Sequence, residues 1–249
     1  LFNAFKAFFA ENFLIAATKI KKSFNFFFTN EDWMVFNKLL DYEKNAGITS
    51  VFHFYFYLQK KNLKKKLFDP GYKINSKILK NILSDIVLKN HEIGLHPGFE
   101  SWNNIEDMSR QKKELENVCG MPVTNVRQHW LRFSWNSTWA CQSAAGLKLD
   151  NTLMFNDRSG FRNSSSLAWY PWSVSENKSH KIKAMPCILM DSHIYDYLDL
   201  NEEKRENYMN YLIDESKTVS GEASVLWHPH TLTKDYDWSN GFLKLLKII

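Results

Sequence analysis

Histidine, arginine and carboxylate side chains recur in this chain at the ends of short apolar runs. His96 and Glu100 follow Glu92–Leu95, and Arg127, Gln128 and His129 lie within Thr124–Phe133. Asp150 and Asp157 belong to the next such run and its exit, Leu147–Leu153. Asp191 and His193 follow Lys183–Met190, and His228 and His230 follow Ala223–Trp227. These residue types do a limited set of chemistry. Imidazole changes charge near neutral pH, so it serves as a general acid or base or as a metal ligand. Carboxylates take protons or bind divalent ions, and a guanidinium holds an anion. His228 is the favoured general acid–base group. Plainer roles stay open for the others. His96 can cap the turn before Pro97, and Glu100 can be a solvated carboxylate. Arg127 can sit in a structural ion pair, and His129 can be a hydrogen-bonded core histidine sharing the Arg127 side of its strand. His53, His91, His180 and His193 are read as structural or surface groups.

Elements that alternate between two periods must position these groups. Ser50–Tyr57, Glu92–Leu95, Thr124–Phe133, Leu147–Leu153, Lys183–Met190 and Ala223–Trp227 read as strands. Between them, Trp33–Lys44, Asn75–Leu88, Asn104–Val118, Ser137–Ala145, Asn201–Val219 and Gly241–Ile249 read as helices. Ser137 is placed as an N-cap, with Gly120 and Gly146 as stops. Thr29-Asn30-Glu31-Asp32 opens the first helix. Alternating β and α implies a parallel sheet, and ligands of such sheets gather beyond the carboxyl ends of the strands. The pattern alone fits an open doubly wound sheet and a barrel equally. No Gly-rich dinucleotide fingerprint follows a strand. The Ser-, Asn- and Trp-rich stretch Asp157–Glu176 is too long for an ordinary connection and marks a functional loop. Within it, Arg162 is expected to hold an anionic or polar substrate group. Trp169 and Trp172 are candidates for a sugar-stacking platform, although the tryptophans could also be core.

The composition excludes several classes. With 249 residues, 44% hydrophobic and 24% charged, the chain is globular and is expected to form a single domain over residues 1–249. A net charge of +5, concentrated in the Lys60–Lys66 run, gives no aromatic-and-basic pattern for nucleic acid. No apolar run is long enough for a membrane helix. Cys119, Cys141 and Cys187 lack metal-ligand spacing and suit a reducing, cytoplasmic setting.

Several segments then resemble a known family. Asn90-His91-Glu92-Ile93-Gly94-Leu95-His96-Pro97 resembles the second motif of the polysaccharide deacetylases, the NodB-homology group. Val126-Arg127-Gln128-His129-Trp130-Leu131-Arg132-Phe133 is similar to the arginine-containing third motif of one branch. Leu149-Asp150-Asn151-Thr152-Leu153 and Asn156-Asp157-Arg158-Ser159-Gly160-Phe161-Arg162 resemble the segment that follows it in that branch. Val225-Leu226-Trp227-His228-Pro229 looks like the closing motif. The resemblance implies a distorted (β/α) barrel of about seven parallel strands. It implies metal-dependent hydrolysis, with zinc as the expected divalent ion, of an N-acetyl group on a glycan or glycan precursor. Carried over, His96 is a metal ligand with Glu100 and His129 as further candidates. His228 is the general acid, and Arg127 orients the catalytic carboxylate or holds an oxyanion. Apart from the resemblance, Asp157 is the candidate carboxylate within this chain, with Asp191 as its alternative.

Two departures accompany the resemblance. Glu100 stands where the family has a second histidine, and no strand with paired aspartates precedes Ser50. The first strand is therefore expected ahead of Leu1, leaving a gap between the Ser50–Tyr57 and Ala223–Trp227 strands and weak metal binding. The rival expectations are an inactive carbohydrate-binding relative and a metal-dependent amidohydrolase acting on a non-sugar amide.

Overall fold

The computed structural model describes residues 17, 20, 21, 24, 31–56, 63–72, 76–234 and 236–249. The expected cap at Thr29-Asn30, Tyr57 and the front of the lysine run lie outside these residues. Helix α1 (Glu31–Ala46) precedes strand β1 (Val51–Phe54), followed by the short α2 (Leu63–Phe68) and α3 (Lys77–Leu88). Then come β2 (Glu92–Leu95), α4 (Ile105–Cys119), β3 (Asn125–Val126), α5 (Thr138–Ala144) and β4 (Leu149–Asp150). A hairpin of β5 (Trp172–Ser173) and β6 (Lys178–Ser179) precedes β7 (Lys183–Ala184) and β8 (Cys187–Met190). Helix α6 (Glu202–Thr218), β9 (Ser224–Leu226) and α7 (Ser239–Ile248) complete the order.

The fold is α/β, with a five-stranded parallel sheet in the order β1-β2-β3-β4-β7 and a separate parallel ladder of β8 and β9. The run expected as one strand over Lys183–Met190 is divided at Met185-Pro186. Proline has no N–H for a ladder. Met185 N donates to Asp150 O at 2.8 Å, whereas Pro186 O accepts from Ser224 N at 2.8 Å. The chain thus passes from one ladder to the other at this point. Among the described residues β1 pairs only with β2, and β9 only with β8.

Periodicity accounts for the packing. In β1, Phe52 and Phe54 are buried, and Phe36 of α1 meets both rings at about 6 Å. Val51 and His53 point to the opposite face. Leu79, Ile82, Leu83 and Ile86 form the buried stripe of α3, which Ser76 caps by accepting from Leu79 N at 3.3 Å. Asn104 caps α4 by accepting from Asp107 N at 2.8 Å, and Gly120 ends it with φ 72°. Ser137 makes no side-chain cap. Thr138 Oγ1 instead accepts from Ser134 N at 2.9 Å.

Candidate functional site

His96 leaves β2 as an extension of the ladder, its N–H donating to Phe54 O at 2.9 Å. Two residues earlier, Gly94 lies beside His53 of β1, and a Cβ there would stand 2.6 Å from the His53 ring. The glycine of the His-Glu-Ile-Gly run is therefore a packing requirement. The loop beyond His96 is tied down from two sides. Gln111 of α4 accepts from Gly98 N at 2.9 Å, and the buried Asp69 accepts from Phe99 N at 2.8 Å. Ser101, Asp107 and Gln111 close a buried polar cluster under that loop.

The expected strand over Thr124–Phe133 ends at Val126. His129–Leu131 is a 3₁₀ turn in which Trp130 and Leu131 have φ 57° and 51°. Two bulky residues in the left-handed region cost about 1–2 kcal/mol each. The turn removes His129 from the alternation that would have aligned it with Arg127. It directs His129 Nδ1 to His96 Nε2 at 2.8 Å, while Trp130 stays 46% exposed. His96 Nδ1 faces Arg127 O at 2.7 Å, and His129 Nε2 faces Phe68 O at 2.7 Å. Burial, the neighbouring His129 and the charges of Arg127 and His228 hold the His96 pKa well below the usual imidazole value.

Arg127 is buried, but no carboxylate pairs with it among the described residues. Its Nε donates to Asn151 O at 3.1 Å, and Nη2 lies 3.7 Å from Cys187 Sγ. Its charge works to lower the pKa of His53, His96 and His228.

His228 follows β9 and Asp191 follows β8. Met190 and Leu226 are ladder partners, so the next residues of the two strands meet. The fully buried Asp191 lies 2.7 Å from His228 Nδ1. It also accepts from His228 N at 2.9 Å and Thr231 Oγ1 at 3.1 Å. Desolvation works against the His228 imidazolium, but Asp191 outweighs it and raises the pKa above the usual value. Burial likewise works against the Asp191 carboxylate, and His228 outweighs it, leaving that pKa lowered. The His228 side chain remains 40% exposed, so one edge of the ring is open.

The structure brings His96, His129, Arg127 and His228 into one neighbourhood and leaves other sequence candidates outside it. Asp157 lies at the surface, 62% exposed and 3.6 Å from Arg158. The carboxylates acting on His228 are Asp191 and Asp196. Asp150 is a buried anchor that accepts from Trp139 Nε1 at 3.0 Å and Gln142 Nε2 at 2.9 Å. Glu100 turns to Arg132 at 3.0 Å, and Arg132 lies over the Phe99 ring. Arg162 braces the backbone by donating to Met154 O at 3.0 Å. Trp169 bridges to Ala184 and packs edge-on to Trp139, whereas Trp172 is 58% exposed on the hairpin. No three His, Cys, Asp or Glu side chains converge as a metal-binding group among the described residues.

The sequence offered Asp191 beside Asp157 as a carboxylate for the chemistry, and the adjacency of β8 and β9 puts Asp191 against His228. His53, read from sequence as structural or surface, lies in β1, where desolvation and the charge of Arg127 lower its pKa. Its buried Nε2 has no hydrogen-bond partner.

No protein-family model and no curated protein matches the chain. Among solved structures it is similar to a crystal structure described as a "putative polysaccharide deacetylase" from Mycobacterium smegmatis. The TM-score is 0.59, over 87% of this chain and 71% of that one, at 17% sequence identity. The similarity is one of fold, and it coincides with the resemblance read from the motifs: the chain has a polysaccharide-deacetylase-like α/β architecture.

Proposed function

We propose that this chain is a metal-dependent hydrolase that removes an N-acetyl group from a glycan or glycan precursor. The observation that carries this reading is the His228–Asp191 pair, 2.7 Å apart, in the same mouth as the buried Arg127. Asp191 engages Nδ1 and leaves Nε2 as the atom that can hand a proton to a departing amine. Arg127 supplies a fixed positive charge in a low-dielectric recess, where it favours a developing oxyanion. A divalent metal, zinc in this reading, would be held by His96 and would supply Lewis-acid activation of the amide carbonyl and of water. Trp172, with Trp169 and Arg162 on the same long loop, is proposed to meet the sugar. Three free thiols suit a cytoplasmic setting. No helix among the described residues is long and apolar enough to cross a membrane.

The test is acetate release from N-acetylglucosamine oligomers by the purified chain supplied with zinc. His228→Ala should lower the rate by roughly 10²–10⁴-fold. Release unaffected by that substitution would remove the histidine from the chemistry, and no release from any N-acetylated glycan would defeat the hydrolase reading. A second reading, carbohydrate binding without hydrolysis, is favoured by the described metal donors stopping short of three. It predicts saturable oligosaccharide binding with no acetate released.

A further inference from the structure

Asp191 carries more hydrogen bonds than its contact with the His228 ring requires. Its Oδ1 accepts from His228 Nδ1 at 2.7 Å and from Ser192 N at 2.8 Å. Its Oδ2 accepts from His228 N at 2.9 Å and from Thr231 Oγ1 at 3.1 Å. A carboxylate offers about four lone-pair sites, so this one is filled. The two main-chain amides among these donors already fix its orientation. The Thr231 hydroxyl has a different part. Pro229 opens a 3₁₀ turn over Pro229–Leu232 that folds Thr231 back beside His228, with Thr231 N donating to His228 O at 3.1 Å. The hydroxyl of Thr231, a residue only 2% exposed, also lies 2.7 Å from that same His228 O. A hydroxyl owns one hydrogen. Two acceptors therefore compete for it, a carbonyl at 2.7 Å and a carboxylate at 3.1 Å. The charge on the His228 ring decides between them. Beside an imidazolium, Asp191 is compensated and the nearer carbonyl takes the hydrogen. Beside a neutral ring, Asp191 is a buried anion without a counter-charge, and a hydrogen bond to an ionised acceptor is roughly twice as strong as one to a neutral acceptor.

We infer that Thr231 is a positioning residue for His228: its hydroxyl hydrogen turns from His228 O to Asp191 Oδ2 as the ring gives up its proton, and so limits how tightly Asp191 holds the imidazolium. The inference rests on the reading of His228 as the proton donor to the departing amine. In that step the Nε2–H bond breaks, its electron pair stays on Nε2, and the amine nitrogen gains the hydrogen. Asp191 remains ionised throughout, and the hydroxyl supplies the stabilisation that the lost positive charge no longer gives. The other charges around the pair are Arg127 of β3, which works to lower the proton affinity of His228, and Asp196, in the turn after β8, which raises it. His230 acts on Asp191, and His228 itself acts on His96. Substitution of Thr231 leaves all of these side chains in the chain.

The experiment is an imidazole NMR titration of His228 in the full chain and in Thr231→Val and Thr231→Ser. Loss of the hydroxyl in Thr231→Val should make His228 bind its proton about three- to tenfold more tightly, a rise of roughly 0.5–1 pH unit. Thr231→Ser keeps a hydroxyl and should titrate like the unsubstituted chain. Thr231→Ala, which also lacks the hydroxyl, supplies the same comparison if valine at this position unfolds the chain. A His228 midpoint that is unchanged or lowered in the hydroxyl-free variants overturns the proposal, and so does an equal shift in Thr231→Ser. In acetate release the alkaline limb reports loss of the proton donor. That limb should move up in Thr231→Val by the same interval as the NMR midpoint, with KM unaltered. The expected NMR shift without acetate release from any of the chains would defeat the hydrolase reading and leave the coupling standing. Acetate release with an unshifted midpoint would defeat the coupling and leave the hydrolase reading standing.

Discussion

Asp191 and Glu43 are both buried carboxylates, and their partners send them in opposite directions. Asp191 is held ionised by His228, so replacing it tests the dyad directly. In Asp191→Asn the His228 pKa, followed by imidazole NMR, should fall from above to below its usual value. Hydrolysis should drop by roughly 10²–10⁴-fold with the fold retained. An unchanged histidine titration would show that another charge raises it. Glu43 of α1 lacks such a cation. Burial lifts its pKa to about 7, with the Ser50 hydroxyl 2.6 Å away offsetting part of the effect. Its Oε2 stands 3.4 Å from His91 Nδ1, which already accepts from Ser50 N at 3.1 Å. Two acceptors facing each other favour the protonated acid. The charge of Lys89 acts on His91 in the same cluster. The folded chain binds this proton more tightly than the unfolded one. The contribution to stability is therefore complete below the unfolded carboxylate value of about 4.3 and is lost as pH rises through about 7. Urea unfolding should show stability falling by roughly 1–3 kcal/mol between pH 5.5 and 8 from this group. Glu43→Gln should flatten that slope, and an unaltered slope would place the titration elsewhere.

At the scale of elements, the contact between β1 and β2 is the most constrained. Gly94→Ala puts a methyl against the His53 ring and should cost about 1–3 kcal/mol. His53→Ala in the same chain should restore most of it, and additive losses would mean that the clash is not with His53. Much of this level was legible in the sequence. The helical stripe of Leu79, Ile82, Leu83 and Ile86 and the stops at Gly120 and Gly146 are local signals, and local signals survive folding. Ser137 does hold the N-cap position of α5, but its side chain makes no capping bond. The strand through Thr124–Phe133 failed because backbone strain at Trp130 and Leu131 is repaid by contacts with Phe68 and Phe99, which lie far away in sequence. Asp157 and Asp191 look alike as residues after apolar runs. Only strand order, a tertiary property, sends one to solvent and the other to His228.

For the whole molecule, the division into a five-stranded sheet and a two-stranded ladder predicts uneven stability. Every residue of β9 is half-buried, whereas Ile93 and Leu95 of β2 are buried. Native-state hydrogen exchange should open the amides of Ser224–Leu226 at lower free energy than those of Ile93 and Leu95. Equal protection would show that the ladders open as one unit. The fold class and the neighbourhood of His96, Arg127 and His228 were readable because alternating elements force strand ends together. The partner of each side chain was not, because hydrogen bonds to the main chain leave no mark in residue identity. That has a consequence for heredity. The acceptors that set the orientation of His96 and His129 are the carbonyls of Arg127 and Phe68, and no missense mutation deletes a carbonyl. On the proposed reading, a saturation screen for acetate release should return both histidines as intolerant. Position 68 would answer only to changes that redirect the chain. Half of the site is thus inherited as a path through space, which codons encode only collectively.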